Sequence, residues 1–168
     1  WVFNTNGWVL TSPAVSNGIV YFTSSDKGYF HTSNNNIYAL NAKDGSKIWN
    51  YSVSAKIYTS PAVADDMVFF GSDDKAIYAL NATTGAKKWS FTTGSVVASS
   101  PVVANGNVYV GSLDNVTYAL NVKTGALVWK VTTGYDQCVQ ASPAFANGVI
   151  YTGGAFDKKV NALDAATG

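Results

Sequence analysis

The side chains able to do chemistry are few in this 168-residue chain: one histidine, His31, one cysteine, Cys138, and carboxylates that are all aspartate, with no glutamate and no arginine. Nucleophilic or acid–base catalysis needs a nucleophile, a base and an orienting group within reach, and no Ser/His/Asp grouping is visible. His31 stands beside Tyr29 and Phe30; it reads as a solvated loop histidine, with ligand contact or pH-sensitive binding as the sharper alternative. Cys138 has no neighbouring base and no partner for an internal disulfide, so an idle or buried thiol is favoured over a reactive one. Asp65-Asp66 reads as a charged hairpin turn rather than as part of a cation site. Asp26, Asp73, Asp114 and Asp157 each follow an apolar run. Such recurrence favours a side chain bonding its own turn over a cation-attracting ring. The remaining candidates are aromatic. Trp8, Tyr58 and Tyr135 are suited to stacking on sugars or on a protein partner, and equally to loop packing; the candidate binding face also takes in Tyr29, His31 and Asp136.

Composition narrows the classes further. A formal net charge of +1 and the absence of arginine leave no electrostatic footprint for nucleic acid. No apolar run approaches the length of a membrane span. Low charge and many Ser, Thr, Asn and Gly suit a protein outside the cytoplasm, whether on the cell surface, periplasmic or secreted. Three Asn-x-Ser/Thr sequons, at Asn50, Asn81 and Asn115, agree with that leaning as candidate glycosylation sites.

The elements that must position these groups are written four times. Pro recurs at Pro13, Pro61, Pro101 and Pro143, Ala-Leu at 39–40, 79–80, 119–120 and 162–163, and Trp at Trp1, Trp49, Trp89 and Trp129. A period near 40 residues built of short strands is the mark of a β-propeller blade. Each unit divides into four strands, A to D. The A–B turn is Asn17-Gly18, Asp65-Asp66, Asn105-Gly106 or Asn147-Gly148, a hairpin signal because these residues accept positive φ. The C–D turn carries Gly45, Gly85, Gly125 or Gly168. The expected architecture is all-β, with four-stranded antiparallel blades at about 10–50, 58–92, 98–132 and 140–168. The last is completed by a D strand such as residues 1–6, because the chain opens on the tryptophan of a D strand and stops before the next one.

The segment Tyr78-Ala79-Leu80-Asn81-Ala82-Thr83-Thr84-Gly85 through Trp89, like its copy Tyr118 to Trp129, resembles the tryptophan-docking repeat of the pyrroloquinoline-quinone (PQQ) enzymes and their non-catalytic relatives. The resemblance implies that Trp1, Trp49, Trp89 and Trp129, with Gly45, Gly85 and Gly125, stitch neighbouring blades together. It also implies a ring of seven or eight blades, of which this chain supplies four, the rest coming from a partner, a second copy or further residues of the parent chain; four blades closing on themselves are the alternative. The enzymes hold PQQ and calcium with Glu, Asn and Asp, contact the quinone with Arg and often carry adjacent cysteines. With Glu, Arg and paired Cys missing, neither the cofactor nor catalysis is expected.

The copies differ most in two insertions, within residues 24–36 and 134–140. In a four-stranded meander the B–C and D–A connections lie on one rim, so both insertions decorate the same face. The expected function is a non-catalytic scaffold presenting that face to a protein. The alternatives are a carbohydrate-binding propeller and a fragment of a quinone-dependent dehydrogenase.

Overall fold

A computed structural model describes residues 1–25, 35–134, 141–154 and 158–168. It is all-β, with four separate antiparallel sheets. The first blade contains β1 (Ala14–Ser16), β2 (Ile19–Ser24), β3 (Asn35–Asn41) and β4 (Lys47–Val53). The second contains β5 (Ala62–Ala64), β6 (Met67–Gly71), β7 (Ala76–Asn81) and β8 (Lys87–Thr92). The third contains β9 (Val102–Ala104), β10 (Asn107–Gly111), β11 (Val116–Asn121) and β12 (Leu127–Thr132), and the fourth β13 (Ala144–Ala146), β14 (Val149–Gly154) and β15 (Lys159–Asp164). Strands pair in chain order within each sheet. The short A strands neighbour one another in series, β1 with β5, β5 with β9 and β9 with β13.

Local chemistry accounts for the meander. Every A–B turn has positive φ at its first residue, 49° at Asn17, 49° at Asp65, 50° at Asn105 and 51° at Asn147. Asp66, at 57°, does without a glycine what Gly106 does at 74°, so Asp65-Asp66 is a hairpin turn. The C–D turns are closed by a side chain. The Asn121 carboxamide oxygen accepts from the amides of Lys123 and Thr124 and from the Thr124 hydroxyl. Asn81 and Asp164 do the same in their blades. The Asp164 carboxyl lies below its usual pKa because the Thr167 amide and hydroxyl favour its charged form. A register shift between Ala119 and Leu120, repeated at Ala39/Leu40 and Ala79/Leu80, bends each C–D pair.

The core lies between blades. Strand β6 is buried along its whole length, as a strand covered on both faces must be. One cluster joins Tyr21, Ile37, Ala39, Trp49, Val53 and Ile57 to Val68, Phe70, Leu80 and Ala82 of the next blade. Blades two and three meet in the same way through Phe69, Ile77, Ala79, Trp89 and Val97 against Val108, Val110, Leu120 and Val122. The fourth sheet has three strands, and residues 1–6 form no strand beside β15. The D strand expected there is therefore not paired in this structure. Instead, these residues lie against the first blade.

Candidate functional site on the loop-bearing rim

The tryptophans were expected to dock, and they do so by one geometry. The indole N–H of Trp49 donates to Ala82 O at 2.9 Å, that of Trp89 to Val122 O at 2.8 Å and that of Trp129 to Ala165 O at 3.0 Å. Each acceptor belongs to the following blade, and each ring covers a turn glycine. A Cβ built on Gly125, whose φ is 70°, would sit 2.6 Å from the Trp89 ring, so only glycine fits there. Trp1 occupies the same place on the first blade, with its N–H 3.1 Å from Ala42 O and its ring over Gly45. Beside each buried tryptophan stands an aromatic from strand B. The ring centroids are 6.0 Å apart for Tyr21–Trp49, 5.8 Å for Phe69–Trp89 and 5.7 Å for Tyr109–Trp129. In the first and third blades the tyrosine hydroxyl donates to the same carbonyl as the indole, Ala82 O and Ala165 O. These residues are fully engaged in stacking.

The rim bearing the B–C and D–A connections is built from hydrogen bonds between those two kinds of loop. Ser25 Oγ donates to Ile57 O at 2.9 Å and accepts from Ile57 N at 2.8 Å. Ser72 Oγ donates to Lys56 O, and Ser112 Oγ to Val96 O. The Leu113 amide donates to Val96 O, and the Asp73 amide to Lys56 O. The expectation that both connections share one face is therefore met.

The recurring aspartate is Asp74, not Asp73. Asp74 and Asp114 each accept from the amide two residues on, at 3.1 Å, and from the tyrosine hydroxyl four residues on, Tyr78 or Tyr118, at 2.6 Å. Asp114 also accepts from Gly94 N at 2.7 Å, which ties the incoming loop to the turn. The one-residue error arose from taking the first aspartate of Asp73-Asp74; the Asp-x-x-x-Tyr spacing, visible in both copies, identifies the right one. This turn role agrees with the structural reading of Asp114. Burial, the bond to Asp114 and that carboxylate's charge push the Tyr118 phenol up to about 12. Tyr78 is raised further, by burial and then by its bond to Asp74.

Among the expected binding residues, Trp8 and Tyr58 lie on this rim, 47% and 42% exposed. Trp8 is held by its backbone, which exchanges two hydrogen bonds with Ser25 at 2.7 and 2.9 Å. Tyr58 carries the Lys56 ammonium over its ring at 5.9 Å. Lys56 itself is a rim residue that sequence reasoning missed, because nothing in the repeat distinguishes one lysine from another. Asp73 lies close by; burial and the Asp74 charge raise its carboxyl pKa against the pull of Lys56. Tyr29, His31, Tyr135, Asp136, Cys138, Asp26 and Asp157 lie outside the described residues. The sequon asparagines have structural partners. Asn50 donates to Asn36 Oδ1, Asn81 closes its C–D turn, and Asn115, at φ 72°, offers its backbone carbonyl to Thr133 N.

Concavities also mark the surface of the described residues. One of about 180 Å³ lies between the first two blades on the opposite rim, lined by Asn17, Tyr21, Asp65, Asp66 and Thr83 among others. Another, of about 330 Å³, is apolar and opens on the free face of the first blade. Among the described residues no three His, Cys, Asp or Glu side chains gather as a metal site, and no helix is long and apolar enough to cross a membrane.

Comparison with known proteins follows the same lines. No curated protein matches the sequence. Among solved structures, BamB from Moraxella catarrhalis superposes with a TM-score of 0.83 at 18% identity, over 99% of this chain and 49% of that one. The computationally designed Ika4 protein superposes at 0.80 and 18% identity, over 96% of this chain and 93% of its own. A quinohemoprotein alcohol dehydrogenase from Pseudomonas putida superposes at 0.76 and 20% identity, over 99% of this chain and 34% of that one. The chain thus spans about half the length of the BamB structure, and at these identities the likeness is one of fold. The family model described as outer membrane protein assembly factor BamB matches residues 1–54 and 33–168. Blade geometry, docking tryptophans and this match agree: the chain belongs to the BamB family of PQQ-type β-propeller repeat proteins.

Proposed function

We propose that the protein is a non-catalytic propeller scaffold that works outside the cytoplasm, in the periplasm or at the outer membrane, and presents its loop-bearing rim to a protein partner. The observation that carries this reading is the division of labour on that rim. Backbone, Ser25, Ser72, Ser112, Asp74 and Asp114 fix the loops, while outward positions differ from blade to blade. Trp8, Lys56 and Val96 each stand seven residues after a docking tryptophan, so one scaffold displays three chemistries. The family's description as an assembly factor supports a protein partner. The chain spans about half the length of the BamB structure, so the ring to which its four blades belong takes in further blades, whether from the parent chain, a partner or a second copy.

Catalysis with PQQ and calcium is not part of this proposal. The resemblance assigns calcium and quinone contacts to Glu and Arg, and this chain has neither; its donor set does not fit the group. Reconstitution with PQQ and calcium is expected to give neither the quinone absorbance nor dye-linked turnover, and either signal would overturn the scaffold reading. Trp8→Ala and Tyr58→Ala, placed on exposed side chains, are expected to keep the wild-type melt and to weaken capture of a specific envelope protein at least tenfold. Equal capture by all three chains would remove the rim from the account. The exposed aromatics also favour a carbohydrate-binding reading; hits on a glycan array that both variants lose would establish it instead.

A further inference from the structure

We propose that the cavity between the A–B turns of the first two blades is a binding site for an alkylammonium group, carried on a partner's lysine side chain or on a free diamine. The site lies on the rim opposite the loop-bearing one and stands whether or not that rim docks a protein.

The cavity, of about 180 Å³, has Ile19, Val63 and Ala82 as apolar walls and Tyr21, Asp65 and Asp66 as polar ones. Three successive blade interfaces can be compared at this place, position by position. The residue that opens strand B, paired with the end of strand A, is Ile19 at the first interface, Met67 at the second and Asn107 at the third. Met67 is buried in the core between the second and third blades. Asn107 donates its carboxamide N–H to the Tyr109 hydroxyl oxygen at 3.4 Å. Ile19 does neither, being only partly buried and without a donor.

The consequence falls on Tyr21, which is 1% exposed and lines the cavity. Its hydroxyl donates to Ala82 O at 3.2 Å, as the Tyr109 hydroxyl donates to Ala165 O at 2.9 Å. A phenolic oxygen also accepts. That of Tyr109 is served by Asn107, whereas among the described residues no group donates to that of Tyr21. A buried acceptor is thus left open at the first interface, where the repeat elsewhere supplies its donor.

Charge points the same way. The turn of the second blade is Asp65-Asp66, where the other three blades carry Asn-Gly. The Asp66 carboxylate acts on the same phenol: burial, and then that charge, raise the Tyr21 pKa. Neither lysine nor histidine lines the cavity, so the two carboxylates have no cation of the chain beside them there. The walls decide which cation fits. A calcium ion takes six or more oxygen ligands, and Ile19, Val63 and Ala82 offer no side-chain oxygen. A primary ammonium brings three donors for the phenolic oxygen and the carboxylates, and its alkyl stem lies along apolar side chains. The volume is far more than one water needs and has room for a four-carbon stem.

The test is an amide chemical-shift titration of the nitrogen-labelled chain with Nα-acetyl-lysine methylamide, with cadaverine and with n-butanol as the uncharged chain. Both ammonium ligands are expected to saturate at about 1–10 mM, with shifts centred on residues 16–21, 63–66 and 82–83, and n-butanol to leave these residues unmoved. The tighter of the two ligands identifies the source of the group. Two variants separate the charge from the space. Asp66→Asn keeps a residue that accepts the φ of 57° at this turn and is expected to weaken both ligands by about fivefold or more, as added salt does. Ile19→Met places in the cavity the residue that the second blade uses there and is expected to abolish binding. Both variants are expected to keep the wild-type melt. Equal affinity in wild type and Asp66→Asn, binding that survives Ile19→Met, or no saturable shift at these residues overturns the proposal.

Discussion

Each docking tryptophan combines a hydrogen bond to the next blade with a ring laid over a glycine. Trp89→Ala removes both, and should cost roughly 3–5 kcal/mol, the range for deleting a large buried aromatic; calorimetry checks it as a large fall in Tm. Gly125→Ala should destabilise through the opposite fault, a Cβ driven into the same ring at a positive φ. Trp1→Ala should cost much less in the isolated chain, since Trp1 is 59% exposed where Trp89 is 9%. The second blade offers a gain. Phe69 stands where Tyr21 and Tyr109 donate to the next blade, so Phe69→Tyr adds a donor for Val122 O and should stabilise by about 0.5–1.5 kcal/mol. These roles were legible in the sequence because a tryptophan and a glycine in register carry their own explanation. The second donor on the same carbonyl was not, since Tyr and Phe alternate at that place.

At the level of the turn, the Asp–Tyr pair of the B–C connection sets an alkaline limit. Burial and then the bond to Asp114 push the Tyr118 phenol up to about 12 from its usual 10.0, so folding favours its neutral form. The stabilisation is whole below pH 10 and lost as pH climbs through the folded value. Tm is therefore expected to hold to about pH 10 and then fall steeply by pH 12, with Tyr118→Phe showing a lower start and a shallower fall. Identical pH profiles would mean that the phenol does not couple to stability. The A–B and C–D turns were readable from Asn-Gly, Asp-Asp and Thr-Gly because their backbone conformations select residue types. The B–C turn was misread by one residue because two adjacent aspartates satisfy the same pattern, and only the tyrosine four positions on breaks the tie. The rim loops were harder still. Their backbone is fixed by serine hydroxyls reaching carbonyls 16 and 32 residues away, and no local pattern announces such partners.

As a whole, the molecule is a series of blades whose core lies in the interfaces that successive blades share. The sequence period made the blades plain and the family match fixed their lineage. The expected fourth D strand is the instructive difference. Residues 1–6 do not pair with β15, yet Trp1 and Phe3 already sit on the first blade as a preceding strand would. The most direct measurement is capture of a specific envelope protein by the wild-type chain, set beside Trp8→Ala and Tyr58→Ala variants that keep its melt. Capture weakened at least tenfold in both variants is the expected result. Equal capture by all three chains would contradict the account.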